Sequence, residues 1–241
     1  MGFSFDYDVQ GNLQKVVLPD GNVLENIVDG ANRIVGQKVN GSLEKGFLYQ
    51  DQLKPVAELD GSGNIVARFV YATGVNVPDY MDRGGIRYKF VTDHLGSVRL
   101  VVNTVTGAIA QKIDYDEFGN VVLDNNPGFQ PFGFAGGLYD SRTGLVRFGA
   151  RDYDAETGRW TCKDPLGFEA GTNFYVYCEN DPINKVDPEG QKDQFFGDLK
   201  KLGDSFLKNL KIDAEALKES VAGKKGGRYN VSQYGENELF F

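Results

Sequence analysis

The residues with the strongest potential for chemistry are two aspartates, Asp164 and Asp187, each followed by a proline. Two carboxylic acids brought close together cannot both ionise at low cost, so they share a proton. One then acts as a base toward water while the other donates to a carbonyl oxygen, which is aspartyl-protease chemistry. Taken alone, an Asp-Pro pair more often begins a turn, because the proline fixes an extended corner.

Other nucleophilic or metal-binding groups are scarce. The chain has 1 histidine and 2 cysteines, which cannot supply a four-ligand zinc site without carboxylates. His94 has no partner at a readable spacing, and we interpret it as a turn residue rather than a general base. For Cys162 and Cys178, small buried thiols are a simpler interpretation than a nucleophile or a disulfide framework. We predict neither a metal nor another cofactor.

The overall charge argues against polyanionic partners. The 241 residues carry a formal net charge of -8, with a pI near 4.8, whereas nucleic acids and acidic membranes bind clustered cations. No run of about 18 apolar residues is present, so we predict no membrane span. Residues 1–6 lack the basic and apolar regions of a signal peptide, so the sequence indicates no cellular address.

Short segments rich in Val, Ile, Phe and Tyr alternate with turn-forming dipeptides. Glycine, asparagine and aspartate tolerate positive φ and suit tight hairpin turns. The sequence therefore predicts a mainly β fold, an antiparallel sheet built from successive hairpins. The predicted strands are 23–28, 65–71, 86–92, 98–103 and 108–115. The turn dipeptides are Asp20-Gly21, Asp29-Gly30, Asn40-Gly41 and Asp60-Gly61.

A repeated motif lies on this pattern, a Tyr-Asp pair followed after a short gap by a glycine. It occurs at Tyr7-Asp8, Tyr115-Asp116, Tyr139-Asp140 and Tyr153-Asp154, with the glycines at 11, 119, 144 and 158. We expect the aspartate side chain to accept a turn N–H and the glycine to take the strained φ. Repeats of this kind build an extended sheet in which each unit contacts its neighbours.

The character of the chain changes near Gln191. Beyond it, apolar residues recur at intervals of three and four, which predicts an amphipathic helix over roughly 193–220. The strongly acidic balance of residues 1–191 also gives way to a near-neutral one. A domain boundary at 191 follows, and the roughly 50 residues beyond it are few for a stable core. They contain no histidine or cysteine, and we assign them no activity.

Several motifs together carry a resemblance to a known family. In chain order they are TDHLGSVR (92–99), YDEFG (115–119), LYDSRTGL (138–145), ARDYDAETGRW (150–160), DPLG (164–167) and DPEG (187–190). They resemble the Rhs repeat-associated core of Rhs/YD-repeat polymorphic toxins and of the C components of insecticidal toxin complexes. The resemblance covers about 88–190, and residues 1–87 are similar to degenerate YD repeats.

This resemblance implies a curved β-sheet shell around an effector, with the core acting as a plug that cuts the effector free. It assigns the cleavage to Asp164 and Asp187, supported by Arg159, with the scissile bond between Gln191 and Lys192. Such an arginine can hold the scissile carbonyl or lower the pKa of a carboxyl group. The chain departs from the family at Gln191, where leucine is favoured, and its repeat is too short for a complete shell.

The resemblance also implies partners and a setting. The expected partner is the chain's own C-terminal segment, and full-length relatives add an immunity protein or secretion machinery. Those relatives are exported or lie at the cell surface. Exposed sheet edges in so short a repeat also favour self-association.

These observations divide the chain into a YD-repeat sheet (1–87), a core with the self-cleavage motif (88–191) and a variable tail (192–241). The leading hypothesis is a shell fragment that carries its C-terminal segment and releases it by intramolecular aspartyl autoproteolysis. Two alternatives stay open. One is a non-catalytic surface protein for adhesion or carbohydrate binding, in which the Asp-Pro motifs only shape the plug. The other is a silent, displaced tip.

Overall fold

The computed structural model describes residues 2–170, 172–191 and 193–195. Twelve strands of this part form a single antiparallel sheet in which each strand pairs with the next along the chain. They are β1 (Ser4–Tyr7), β2 (Leu13–Val17), β3 (Val23–Val28), β4 (Ile34–Val39), β5 (Ser42–Tyr49), β6 (Pro55–Asp60), β7 (Ile65–Val70), β8 (Tyr80–Arg83), β9 (Ile86–Thr92), β10 (Val98–Asn103), β11 (Ile109–Tyr115) and β12 (Val121–Asp124).

The predicted fold class is confirmed, because the described chain is mainly antiparallel β. Strands β3, β9 and β10 have the predicted bounds, and β7 and β11 each differ by one residue at one end. The sequence division after residue 87 falls inside β9, so the sheet continues across it. The end strands of the sheet are β1 and β12, and self-association through these edges stays a prediction.

The repeated Tyr-Asp motif makes the expected turn. Oδ1 of Asp8 accepts the backbone N–H groups of Gln10 and Asn12, at 2.9 and 2.8 Å, and Gly11 between them has a φ of +86°. Asp116 accepts two turn N–H groups in the same way. All four repeat glycines, at 11, 119, 144 and 158, have positive φ. A short polar side chain and one left-handed residue therefore set each of these hairpins.

Two of the four turn dipeptides differ from the expectation. Gly21 and Gly41 have positive φ, but at the other two turns the left-handed residues are Asn32 and Gly63. Each lies three positions after an aspartate whose carboxylate accepts the turn N–H groups on either side of it. These two hairpins are therefore turns of the Tyr-Asp type, although tyrosine does not precede the aspartate.

Residues 129–195 of the described chain, which we call the plug, form two smaller antiparallel sheets. One consists of β13 (Leu138–Tyr139), β14 (Leu145–Phe148), β15 (Arg151–Asp154) and β16 (Arg159–Trp160), and the other of β17 (Lys185–Val186) and β18 (Gln194–Phe195). Three short 3-10 helices complete the plug, at Phe134–Gly136, Gly167–Ala170 and Cys178–Asn180. Within the described residues, no helix is long and apolar enough to cross a membrane.

The large sheet wraps around the plug. Near its start, Asn12 and the backbone carbonyl of Asn32 accept from Arg147 of β14, at 2.8 and 2.9 Å. Further along, Phe132 packs edge-on between Phe69 and Phe90, with ring centroids 5.0 and 5.8 Å away. Contacts with strands this far apart in the sheet require it to bend over the plug, as its right-handed twist permits.

An aromatic cluster forms the core of the plug. Tyr153 and Tyr177 are 0% and 1% exposed, and their ring centroids lie 4.3 Å apart. Phe134 and Phe148 pack around them in stacked and tilted arrangements, and Trp160 packs edge-on. Such aromatic side chains bury large apolar areas and fix the relative positions of the strands and loops that carry them.

The helix predicted for roughly 193–220 does not begin at 193, because Gln194–Phe195 form β18 and pair with β17. Backbone pairing with a neighbouring strand outweighs the helical spacing of the apolar side chains at this point. The remainder of the predicted helix, and the tail to residue 241, lie outside the described residues.

We expect the fold to lose stability at alkaline pH. Burial raises the pKa of Tyr7 to about 12 and raises the pKa values of Tyr49, Tyr71, Tyr115 and Tyr153 further. Between pH 10 and these raised values, the unfolded chain releases tyrosine protons that the folded chain retains, so unfolding is favoured. Urea titrations should give a free energy of unfolding that is steady to about pH 9 and falls above about pH 10.

A Tyr7→Phe variant should show a shallower fall over the same range, because one of the linked protons is removed. Equal stability at pH 9 and pH 12 would contradict the burial of these hydroxyl groups.

Candidate functional site

Three buried charged side chains meet inside the plug. Arg151 begins β15, Asp164 lies in the turn after β16, and Asp187 follows β17 directly. Nη2 of Arg151 lies 2.6 Å from Oδ2 of Asp164 and 3.3 Å from Oδ2 of Asp187, and the three side chains are only 3–5% exposed. The structure therefore brings together the two aspartates of the Asp-Pro motifs, joined by one guanidinium nitrogen.

The arginine between the carboxylates is Arg151, not Arg159, the residue assigned to that role from the sequence. Arg159 is exposed on β16, where it pairs in register with Asp154. Side chains alternate between the two faces of a strand, so Arg151 shares the face of Tyr153, whose register partner is Trp160. The carboxylates lie on that face, and Arg159 therefore lies on the wrong face to reach them.

The guanidinium of Arg151 is fixed on several sides. Its carbon lies 4.1 Å from the centroid of the Trp160 ring, a cation–π contact that is strong when desolvated. Nη1 donates to the carbonyl of Phe174 at 3.3 Å. Burial lowers the pKa of Arg151, and the charges of Asp164 and Asp187 oppose that shift. An arginine remains protonated under such conditions, so the site holds a permanent cation between two acids.

Arg151 and Asp187 also bind the peptide group between Gly190 and Gln191. Nε of Arg151 donates to the carbonyl oxygen of Gly190 at 2.6 Å, and the N–H of Gln191 donates to Oδ1 of Asp187 at 3.0 Å. The predicted scissile bond follows immediately, between Gln191 and Lys192. Lys192 lies outside the described residues, so Gln191 is the one described residue of this predicted bond.

Two glycines allow the loop with Gln191 to dock on the β14–β15 turn. Gly149 and Gly190 have φ values of +42° and +65°. A Cβ on Gly190 would lie 2.3 Å from the carbonyl oxygen of Phe148, and one on Gly149 would lie 2.4 Å from that of Glu189. The two backbones cross too closely for any side chain at these positions, and the Ala150 N–H donates to the Glu189 carbonyl at 2.9 Å.

Asp164 is held by its own turn. Its Oδ1 accepts the N–H of Leu166 at 2.8 Å, and its backbone N–H donates to the carbonyl of Phe174 at 3.1 Å. This is the turn-initiating role that an Asp-Pro pair predicts. The other oxygen, Oδ2, is directed at Arg151. One oxygen of the Asp164 carboxylate therefore stabilises the turn, and the other belongs to the candidate site.

The remaining candidate residues have structural surroundings. His94 lies with Nε2 2.9 Å from the carbonyl oxygen of Ile183, which links the large sheet to the plug. Cys162 and Cys178 are free thiols, and burial raises the pKa of both, which disfavours the reactive thiolate. Within the described part of the chain, no cluster of His, Cys, Asp or Glu could hold a metal ion.

A cavity between the large sheet and the plug lies away from these acids. Its lining is mostly apolar, with Leu13, Leu24 and Phe47 on the sheet side. It measures about 50 Å³, which is room for a few waters. Oε1 of Gln37 and Nε of Arg147, both in residues that line it, have no hydrogen-bond partner within the described chain. A space of this size suits buried water better than a substrate.

Comparison with known proteins gives the family. A family model described as the teneurin YD-shell matches residues 2–183. The chain belongs to the YD-shell family. Teneurin-4 of Homo sapiens is 31% identical over 195 residues, and Teneurin-3 of Danio rerio is 29% identical over 197; each match covers 76% of this chain and 7% of the relative. The Escherichia coli (strain K12) protein YibJ is 41% identical over 103 residues, or 42% of this chain and 43% of that protein.

Two solved structures share this fold. The TcdB2-TccC3-Cdc42 structure matches with a TM-score of 0.62 and 19% identity, covering 84% of this chain and 11% of that one. The structure of TcdB2-TccC3 without its hypervariable C-terminal region gives a TM-score of 0.61 and 20% identity, covering 78% and 10%. The chain thus spans about a tenth of these two chains and less of the teneurins.

Replacing Arg151 should destabilise the YD-shell plug far more than replacing Arg159. Arg151→Met leaves two buried carboxylates without their counter-charge, a change that costs about 3–5 kcal/mol when a buried ion pair is broken. Arg159→Met removes an exposed charge and should change the free energy of unfolding by no more than about 0.5 kcal/mol. Urea unfolding measures both, and equal losses would show that Arg151 is not the central counter-ion.

Adding a methyl group at Gly190 should undock the loop. Gly190→Ala creates both a strained φ and a collision with the Phe148 carbonyl, whereas Gly128→Ala has a similar positive φ but nothing within 4 Å of the new Cβ. We expect Gly190→Ala to lose about 1–3 kcal/mol more than Gly128→Ala. Thermal unfolding of the two variants measures the difference, and matching melting temperatures would rule out the close crossing.

Proposed function

We propose that this YD-shell chain is an Rhs-type shell fragment that carries its own C-terminal segment and releases it by self-cleavage beside Gln191. One observation carries the proposal. Two buried acids and an arginine converge on the loop that contains Gln191, and one of these acids accepts the N–H of Gln191 itself. A site built only to shape a turn needs neither the second acid nor the buried cation.

The chemistry is hydrolysis of the Gln191–Lys192 amide by one water molecule. One carboxylate accepts a proton from the water while the water oxygen bonds to the Gln191 carbonyl carbon. The protonated partner acid donates its proton to the carbonyl oxygen. The tetrahedral intermediate then collapses as the carbon–nitrogen bond breaks. The nitrogen of Lys192 takes the proton that the first carboxylate removed from water, and the oxygen returns its proton to the partner acid as the carbonyl re-forms. The products are a carboxyl group on Gln191 and an amino group on Lys192.

Arg151 has two tasks in this scheme. Its charge offsets the negative charge of the acid pair, so that the two acids can share a buried site. Its Nε anchors the Gly190 carbonyl, which fixes the residue before Gln191. Asp187 completes the anchor through the Gln191 N–H. Gln191 is therefore held at its backbone nitrogen, next to Asp187.

Self-cleavage needs no affinity for a separate substrate. A bond already held beside its catalytic groups reacts as though at very high local concentration, on the order of 10⁵ M or more for well-oriented groups. One turnover is enough to separate the tail from the plug. Such a reaction also needs no histidine or cysteine, and His94, Cys162 and Cys178 have structural surroundings in this chain.

The relatives support the wider setting of the proposal. One structurally similar toxin protein is described as lacking a hypervariable C-terminal region, and we assign that position in this chain to residues 192–241. In this setting the chain is part of a secreted polymorphic toxin used in bacterial competition. Its partners are then its own tail, secretion machinery and an immunity protein.

Intact mass of the purified chain tests the cleavage. We expect a fragment that begins at Lys192 and its complement that ends at Gln191. Asp164→Asn and Asp187→Asn should each slow its appearance by about 10²–10⁴-fold, as expected when a catalytic acid or base is removed. Asp181→Asn is the matched control, because Asp181 also precedes a proline and lies outside the contacts around Arg151.

The outcomes separate the alternatives. A wild-type chain that stays whole on prolonged storage favours a non-catalytic plug, and sugar-array binding would then promote the adhesion alternative. A fragment that begins at Gln191 would instead show that the bond broken is the Gly190–Gln191 peptide bond, which Arg151 and Asp187 contact directly. Equal cleavage by the Asp164→Asn variant and the wild type would overturn the aspartyl mechanism.

A further inference from the structure

The loop that carries Asp187 and Gln191 is closed at its base by a short β-ladder. Strands β17 and β18 lie on either side of it, with Lys185 opposite Phe195 and Val186 opposite Gln194. The segment that follows the proposed cleavage bond is therefore paired with the segment that precedes Asp187. Two residue pairs are a weak ladder, so other contacts must help to hold the loop closed.

Lys185 supplies such a contact across the base of the loop. Its Nζ lies 2.7 Å from Oδ2 of Asp193 and also contacts the carboxylate of Glu179. The lysine is only 7% exposed, and a lysine is buried to this extent only when its charge is paired. Asp193 is the second residue after the proposed bond, so the ion pair holds the segment on the C-terminal side of that bond.

The turn that presents Glu179 is strained. Cys178, Glu179 and Asn180 have φ values of +48°, +54° and +64°, a run of three left-handed residues with no glycine. A left-handed residue other than glycine is strained and persists only where its surroundings fix it. Here the buried Cys178 side chain belongs to the aromatic core, and the turn places the Glu179 carboxylate on Lys185.

We propose that Lys185 is a positioning residue for self-cleavage. It holds Asp193, and through it the chain after Lys192, so that the proposed bond stays beside Asp187 and Asp164. This inference rests on the proposed function. Lys185 acts through Asp193 and the ladder rather than on the reacting atoms, while Asp187 and Arg151 fix the other side through Gln191 and Gly190. The bond is thus anchored on both sides.

Charge exchange tests this role. Lys185→Glu and Asp193→Lys should each slow the appearance of the fragment by about 10–100-fold, the order expected when a reacting group moves by about 1 Å. Glu179→Gln removes the second carboxylate from Lys185. In that background, the double variant Lys185→Glu with Asp193→Lys restores the pair with its sign reversed and should cleave within about threefold of the Glu179→Gln chain. If Lys185 served folding alone, the single variants would also lower the melting temperature of the chain.

A second measurement does not depend on cleavage. In an Asp164→Asn background, which keeps the chain whole, hydrogen exchange of the amides at 193–195 reports whether the loop base is closed. Lys185→Met should lose this protection, while protection of β14 and β15 stays unchanged. Unchanged exchange overturns the inference whether or not the wild type cleaves itself.

The two proposals fail in different ways. A wild type that never cleaves removes the proposed function, and the exchange measurement then decides alone whether Lys185 holds the loop. A wild type that cleaves, with single charge variants that cleave equally fast, keeps the proposed function and overturns the positioning role.

Discussion

The contact on which the plug depends most is that between Arg151 and two buried carboxylates, Asp164 and Asp187. A charge removed from water is tolerated only when opposite charges and hydrogen bonds replace the water. The partners of this guanidinium come from three segments of the chain, which carry Asp164, the Phe174 carbonyl, and Asp187 together with the Gly190 carbonyl. The arginine therefore ties together loops that share no strand, and the loop with Gln191 is among them.

The rest of the fold provides the rigid surroundings that this cluster requires. Hairpins set by aspartate-initiated turns build the large sheet one strand at a time, and the sheet bends over the plug. Strand alternation then places Arg151 beside Tyr153 and Trp160, against the aromatic core. Close crossing at Gly149 and Gly190 docks the loop on the β14–β15 turn. The three charged side chains are buried, and charges away from bulk water interact strongly.

Structural features that depend on neighbouring residues could be predicted from the sequence. Features that depend on contacts between distant segments were harder to predict. Strand bounds and Tyr-Asp turns depend on residues within a few positions, so periodicity and turn chemistry suffice. The choice between Arg151 and Arg159 depends on strand register, which the motif does not encode. Likewise, Gln194 and Phe195 fit a helical spacing, yet pairing with β17 decides their conformation. The left-handed Glu179 has no sequence signal, because glycine is the usual residue for such a turn.

The central claim is that this cluster cuts the chain that carries it. The most direct measurement follows the intact mass of freshly refolded protein over time at several dilutions. The account predicts a fragment beginning at Lys192 that forms with first-order kinetics and the same rate constant across a roughly 100-fold range of concentration, as an intramolecular reaction requires. A rate that rises with concentration, or a chain that stays whole at every dilution, would contradict it.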